Sequence, residues 1–589
     1  MKKALTICAI LLLANGLFAS TTGGLIGKIT DGNGQSLPGV TITATSPSLM
    51  GQKTTITDVD GNFRLMLLPP GTYELRIYMS GFQTVTRKDI VVRLGHNFTI
   101  NQTLKPDRLE ETIVVVAEQQ LLDSTSTTTG ENWSTDYVQS IPTERNVGSI
   151  LSITPGLTRS EGPSGGMVIA GASGTESSYV IDGMNTTDIE TGVQGKQMNF
   201  DFIEEIQIKT GGYEAEYGRA TGGVVNMITK SGGNELSGSL FYYTKSRSMA
   251  SDGAEPWFGA SYLGRDEFDF GATLGGPIMK DKLWFFIAYN PTTSEDVRSN
   301  NESVTQLRGG QAERVDKRER DYWSAKLTYN INENNTLVFS TFADPQERTQ
   351  ERSGESTRDR FIESGGTDWI LKYDSIVNES FVLSAQYGVH NESAKYRSVD
   401  GNDLPQIWDR FNDEDFGGRG GIGWGEHTDR SRDTFKVSGE WFIGSHAIKF
   451  GYDNEVNTFN SQTRYSGNVV YRYQDLGDEV YVRRRLYAYE DPNGEITDIF
   501  HNGARYRQVL DGWLERDTET VNQSFFVQDK WDLSDSFMLS LGVRFENQEI
   551  NGNHPIEGGN FTAIDISDMV APRLGFTWDM FGDGKSKLY

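Results

Sequence analysis

Residues 214–235 read EAEYGRATGGVVNMITKSGGNE. Tyr217-Gly218 and Gly222-Gly223 punctuate the stretch, a run from Val224 to Thr229 follows, and Ser231-Gly232-Gly233 closes it. Glycine has no Cβ, so the backbone can turn sharply and come close to a neighbouring surface. The pattern predicts that Val224 to Thr229 is a final strand folded back tightly in a compact unit enclosed by something larger. It occurs once, and the sequence on either side says what encloses it.

Downstream, from Glu235 to Tyr589, a period of two dominates. Phe537, Leu539, Leu541, Val543 and Phe545 alternate with Met538, Ser540, Gly542 and Arg544; Trp323, Ala325, Leu327 and Tyr329 alternate with Ser324, Lys326 and Thr328; and Phe435, Val437, Gly439 and Trp441 alternate with Lys436, Ser438 and Glu440. One face is oily and the other wet, as lipid outside and water inside a barrel demand. Tight links at 279–282, 332–335, 377–379, 444–446, 533–535 and 582–585 alternate with long polar stretches, expected as loops over 244–266, 291–320, 344–366, 391–430, 457–518 and 547–570. Sorting short and long connections by side is characteristic of outer-membrane barrels. The expectation for 235–589 is an antiparallel transmembrane β-barrel of about 12–13 strands.

Upstream, residues 131–232 mix periods: a short helical stretch at Asn132 to Gln139, helical spacing at Val147, Ile150 and Leu151, then strands MVIAG, SYVIDG, IEEIQIKT and GVVNMITK. An α/β domain of about 100 residues fits. The ordered set IPTERNVGSILSITPGL, VIAGASGTESSYVIDGMN, FIEEIQIKTGGYEAEYG and GGVVNMITKSGGNE resembles the plug domain of TonB-dependent receptors. GATLGGPIMKDKLWFFIAYN and APRLGFTWDMFGDGKSKLY resemble the barrel of the Oar-like branch of that family. The resemblance implies a plug inside the barrel, with Glu204, Glu205 and Arg219 as candidates for polar contacts to its wall; an exposed charged face is the alternative for each. Family barrels close with about twenty-two strands. The chain is therefore expected to be an N-terminal part of such a receptor, a smaller self-closing barrel being the alternative.

Residues 24–105 read as short strands between turn signals such as Asn33-Gly34, Asp60-Gly61 and Pro70-Gly71, with alternation in Val40, Ile42, Ala44 and in Tyr73, Leu75, Ile77. A small β-sandwich is expected. Asp58 and Asp60 resemble the opening of a calcium loop, but Leu67 stands where its closing acid belongs, so a hairpin turn is the better reading. TDVDGNF and LPPGTYEL resemble the carboxypeptidase-regulatory-like domain, which carries no catalytic residues of its own. Between the sandwich and the plug, linker 106–130 holds Glu111, Thr112, Ile113, Val114, Val115 and Val116 ahead of a Ser/Thr-rich tract. An unpaired strand in a polar linker invites another chain to pair with it; the alternative is the last strand of the sandwich. ETIVVVA resembles the TonB box, which implies a TonB-type periplasmic energy-coupling protein as partner.

The start of the chain, with Lys2, Lys3, an apolar core and Ala19-Ser20, reads as a signal peptide over 1–19, and it contains the one cysteine, Cys8. A net charge of −26 speaks against nucleic acid as a partner. GPSGG around Ser164 fits a nucleophile elbow, but no apolar strand leads into it, and the six histidines have no ligand spacing. No enzyme, metal or cofactor is therefore expected. Trp408, Phe411, Phe416 and Trp424 in the 391–430 loop are candidates to stack on a ligand, or to pack the loop on itself. The fold expected is mainly β: a sandwich, an α/β plug and an outer-membrane barrel, with the N-terminal domain in the periplasm and lipid around the barrel. The function expected is TonB-dependent uptake of an unidentified nutrient, with surface binding or adhesion without transport as the alternative.

Overall fold

The computed structural model describes residues 21–589 except 50, 107–111, 117–125, 144, 161–164, 251–260, 410–418, 469, 476–479, 486–488, 491–495, 498–513, 535, 554–559 and 583–585. The predicted signal peptide, Glu111, Ser164, Phe411 and Phe416 lie outside the described residues.

The N-terminal domain is two sheets face to face. Gly23–Asp31 pairs with Asn62–Leu68, Asn97–Thr99 and Gln102–Leu104; the second sheet runs Gln52–Ile56, Thr41–Thr45, Gly71–Tyr78, Thr84–Val92 and Thr112–Val116. Alternation explains the packing, because every second residue of a strand faces the same way. Ile42, Ala44, Tyr73, Leu75 and Ile77 point inward against Leu25, Ile29, Phe63 and Leu65. At the acidic turn, Asp58 Oδ1 accepts the N–H groups of Asp60 (2.9 Å) and Asn62 (2.8 Å), and Gly61 takes φ +76°.

The plug is a five-stranded sheet in the order Thr129–Ser134, Ile203–Gly211, Val224–Thr229, Ser178–Ile181, Met184–Asn185. The helix expected from Asn132 begins only at Thr135. Asn132 sits in a strand opposite Gln207, and the Ser134 side chain caps Thr135–Ser140 by accepting from Tyr137 N–H. Val147–Ile153 is helical, capped by Asn146. Val224–Thr229 is buried at every position, antiparallel to Ile203–Gly211 and parallel to Ser178–Ile181. The opening glycines divide the work of close approach. A Cβ on Gly218 would lie 2.3 Å from Arg544 of the wall, whereas one on Gly223 would meet the plug's own Ile169 at 2.5 Å.

From Ser237 onward, the main element is one 15-stranded antiparallel sheet; a four-stranded and a two-stranded sheet lie in the connections beside it. Gln346–Gln350 and Arg360–Gly365 are a side hairpin bridging Glu313–Asn332 and Phe381–Ser398; without it, thirteen strands follow one another from Ser237–Lys245 to Lys587–Leu588. Among the described residues no ladder joins the first of these to the last. The tight links at 279–282, 332–335, 377–379 and 444–446 fall where expected; residues 535 and 583–585 of the other two lie outside the described residues. The long connections are shorter than expected, because strands such as Leu283–Ser299 and Glu313–Asn332 pair continuously to Ser299↔Glu313. Their polar outer halves continue the ladders, with local register shifts as at Tyr262/Gly264 and Ile550/Asn551, and polarity alone misread them as loops. Side-chain direction follows the alternation: Met538, Ser540 and Arg544 are buried toward the plug, while Leu541 and Phe545 are exposed on the outside.

The N-terminal domain sits at the short-turn end of the sheet. Its Arg64 guanidinium lies 5.2 Å from the Phe442 ring, and a Cβ on Gly51 would be 3.1 Å from the Asp281 carboxylate. The inside-outside assignment has a direct check: Leu541→Arg places a cation on the lipid face and should cost assembly about 2–4 kcal/mol near mid-membrane. A reduced folded fraction in outer-membrane extracts is the expected outcome.

Candidate coupling site and plug interface

Thr112–Val116 is not an unpaired segment. It is the last strand of the second sandwich sheet, in parallel register from Thr84↔Thr112 to Lys88↔Val116. The reason is local: Thr84–Val92 would otherwise end the sheet with open backbone groups, and a β-branched run follows Pro106 within a few residues. The strand's own outer edge carries no further strand among the described residues.

The same domain grips the plug through the backbone of one residue, Leu94. Leu94 N–H donates to Glu205 (3.2 and 3.4 Å), and Leu94 C=O accepts from Gln207 Nε2 (2.6 Å) and Asn132 Nδ2 (3.4 Å). Asn132 Nδ2 also donates to Glu205. Glu205 thus contacts the N-terminal domain, where the sequence had suggested the wall. Burial pushes its carboxyl pKa up, against the opposing pull of the Asn132 and Leu94 bonds and of His96 and Arg93. Glu204 lines a cavity of about 2210 Å³ between the N-terminal domain, the plug and the barrel mouth. Burial raises its pKa too, with Lys230 opposing. Across the cavity, Lys53 donates to Met66 C=O (2.8 Å), and burial pushes its amine down to about 8, opposed by Asp374.

Arg219 does reach the wall, pairing with Glu455 at 2.7 Å. It is one of several ion pairs between plug and wall: Asp182 with Lys326 (3.2 Å), Glu216 with Lys449 (2.6 Å), Glu214 with Lys530 (3.4 Å) and Arg145 with Asp269 (3.0 Å). Burial pushes the Glu214 carboxyl up, but Lys209 and Lys530 outweigh it and hold it below the usual range. Asp182 and Arg219 both have left-handed backbone, φ 47° and 51°. The deepest pair was not singled out from the sequence. Lys196, 1% exposed, reaches Asp344 (2.9 Å) and Asp368 (3.4 Å), and Asp368 also binds His390 Nδ1 (2.8 Å). The available signal was its isolation, for Lys196 is the one basic residue between Arg159 and Lys209. Leu94, Asn132 and Gln207 carried no signal, since their role depends on tertiary placement.

At the far end, Gln406–Asp409 pairs with Arg419–Gly420 and Val470–Asp475, setting Trp408 opposite Arg472; Trp424 stands opposite Tyr465 in a barrel ladder. The two tryptophans thus sit on different sheets.

Comparison with known proteins matches this architecture segment by segment. The family model of the carboxypeptidase regulatory-like domain matches residues 24–105, that of the TonB-dependent receptor plug domain matches 124–224, and that of the outer membrane beta barrel domain matches 228–317 and 310–568. This chain belongs to the TonB-dependent outer-membrane receptors. The receptor is 28% identical to the TonB-dependent transporter Oar of Myxococcus xanthus over 100% of this chain and 63% of that protein. It is 27% identical to the probable TonB-dependent siderophore receptor PirA of Acinetobacter baumannii over 34% of this chain and 28% of that one. Its fold is similar to the outer membrane transporter YddB of Escherichia coli (TM-score 0.53, 16% identity, 77% of this chain and 59% of that one). It is also similar to the ferric yersiniabactin uptake receptor FyuA of Yersinia pestis (TM-score 0.51, 12% identity, 78% and 63%). The receptor chain therefore spans somewhat less than two thirds of the Oar length.

Two predictions follow from the buried charges. Removing one partner of a buried ion pair costs about 3–5 kcal/mol, so Lys196→Met should loosen the plug, read as faster hydrogen exchange across Ile203–Gly211. For Glu205, a raised pKa means that the docked state holds its proton more tightly than the undocked state. Its contribution is full below the ordinary carboxyl range and is lost as pH rises through the raised value. Glu205→Gln should keep docking and flatten that dependence of Tm on pH, whereas Glu205→Ala should lower Tm throughout.

Proposed function

We propose that this receptor takes up a nutrient ligand across the outer membrane with energy delivered by a TonB-type coupling protein that grips Thr112–Val116. The observation that carries the reading is the placement of that strand. It lies at a sheet edge with no further strand on its outer side among the described residues, ahead of the plug in the chain, and partner chains add to such edges through main-chain hydrogen bonds. The plug-wall interface supports it. Buried ion pairs lie near break-even between desolvation and attraction, so pairs such as Arg219 with Glu455 position the plug without fixing it irreversibly. Trp408, Phe411, Phe416 and Trp424 are proposed as ligand-stacking aromatics. The relatives compared are transporters and receptors, and enzymatic turnover is not proposed.

Deleting residues 110–117 should abolish energised uptake and leave surface binding of the same ligand intact. Uptake that survives the deletion, or that ignores collapse of the proton gradient, would instead favour a binding or adhesion protein on this scaffold.

A further inference from the structure

We propose that the N-terminal domain is a lid over the periplasmic mouth of the barrel, opened when the coupling strand is pulled; this rests on the energised-receptor reading above. Three independent features meet in it. The domain roofs the cavity of about 2210 Å³ whose other sides are the plug, at Asp182 and Glu204, and the wall, at Lys326 and Asp374. A solute passing the plug on this side enters a space lined by all three. The roof is attached at separate points of different kinds: the polar Leu94 clamp on Glu205 and Gln207, and the Arg64 guanidinium over the Phe442 ring. Neither buries a large apolar area, so the attachment suits reversible release. One residue's N–H and C=O meeting three side-chain partners is worth a few hydrogen bonds, each with a modest net contribution because water replaces the lost partner.

The third feature joins lid and motor. Thr112–Val116 is a strand of the lid's own sheet, hydrogen-bonded to Thr84–Lys88. A partner strand added on its outer edge extends the lid's sheet, and a pull on that strand loads the domain before it loads the plug. The clamp then passes the load to Ile203–Gly211, a strand lying inside the plug sheet between Thr129–Ser134 and Val224–Thr229. Lid opening and plug loosening thus follow from one pull.

Cys8 is the chain's one cysteine, so engineered pairs report cleanly. In whole cells, Arg64→Cys with Phe442→Cys is treated with a short bis-maleimide. A parallel strain carries Thr112→Cys and a cysteine in the coupling protein. The expected result is efficient lid-to-wall cross-linking in de-energised cells and a several-fold lower yield in energised cells, but only when the coupling protein is present. Gln207→Ala, and more strongly Glu205→Ala with Gln207→Ala, should lower the yield without energy. An unchanged yield in cells where Thr112→Cys does cross-link to the coupling protein overturns the lid and leaves the receptor reading standing. Failure of that second cross-link, with uptake indifferent to it, overturns both.

Discussion

Lipid offers no hydrogen bonds, and that constraint shapes the larger part of this molecule. Every backbone group of a membrane-crossing segment must find its partner in the protein, which restricts the chain downstream of the plug to laddered strands with one oily and one wet face. The wet face has a consequence of its own. A wall whose inward residues include Lys326, Lys449, Asp453 and Arg544 cannot be filled by an apolar globule, because buried charges demand counter-charges. The plug meets the demand with ionisable residues on its own surface.

The contact is not uniform around the plug. Its apolar core continues into the wall at Phe286, Ala288, Phe342 and Ile370, which lie on neighbouring strands of one arc. On the arc formed by Trp424–Ile443, His446–Tyr465, Leu514–Ser534 and Phe537–Asn553, apolar contact shrinks to Ala215 against Phe526 and Tyr452, and ion pairs of Arg219 and Glu216 take over. Apolar burial is lost outright on exposure, whereas separated ions regain hydration. The plug is therefore bound more firmly on one arc than on the other.

Much of this was legible in the residues. Strict alternation in segments such as 537–545 gave strand, face and membrane together, because all three depend on the same period of two. The buried strand Val224–Thr229 and the sandwich core at Tyr73, Leu75 and Ile77 were readable for the same reason. What failed to show was whatever depends on distance along the chain. Thr112–Val116 looked unpaired because its partner, Thr84–Lys88, precedes it by a whole connection and pairs in parallel. Glu205 looked like a wall contact because a charged residue in a strand names no partner. The outer halves of the barrel strands were taken for loops because, beyond the membrane, both faces of a strand can be polar and the alternation disappears while the ladder persists.

Asp182 and Arg219 are both non-glycine residues held at positive φ; Arg219 pairs with Glu455 of the wall, while Asp182 shares its carboxylate between Lys326 of the wall and Thr229 of the plug. Left-handed backbone in such residues costs on the order of 1–3 kcal/mol and persists only where the surroundings hold it. For Asp182 those surroundings are the plug itself: with Gly183 it makes the turn between Ser178–Ile181 and Met184–Asn185, and its carboxylate accepts from Thr229 N–H (2.9 Å) and Thr229 Oγ1 (2.6 Å). A two-residue Asp-Gly hairpin turn takes positive φ at both positions as its normal geometry. The carboxylate is therefore pre-set by the plug's own sheet, and when the link to Lys326 parts the same charge stays aimed for re-docking.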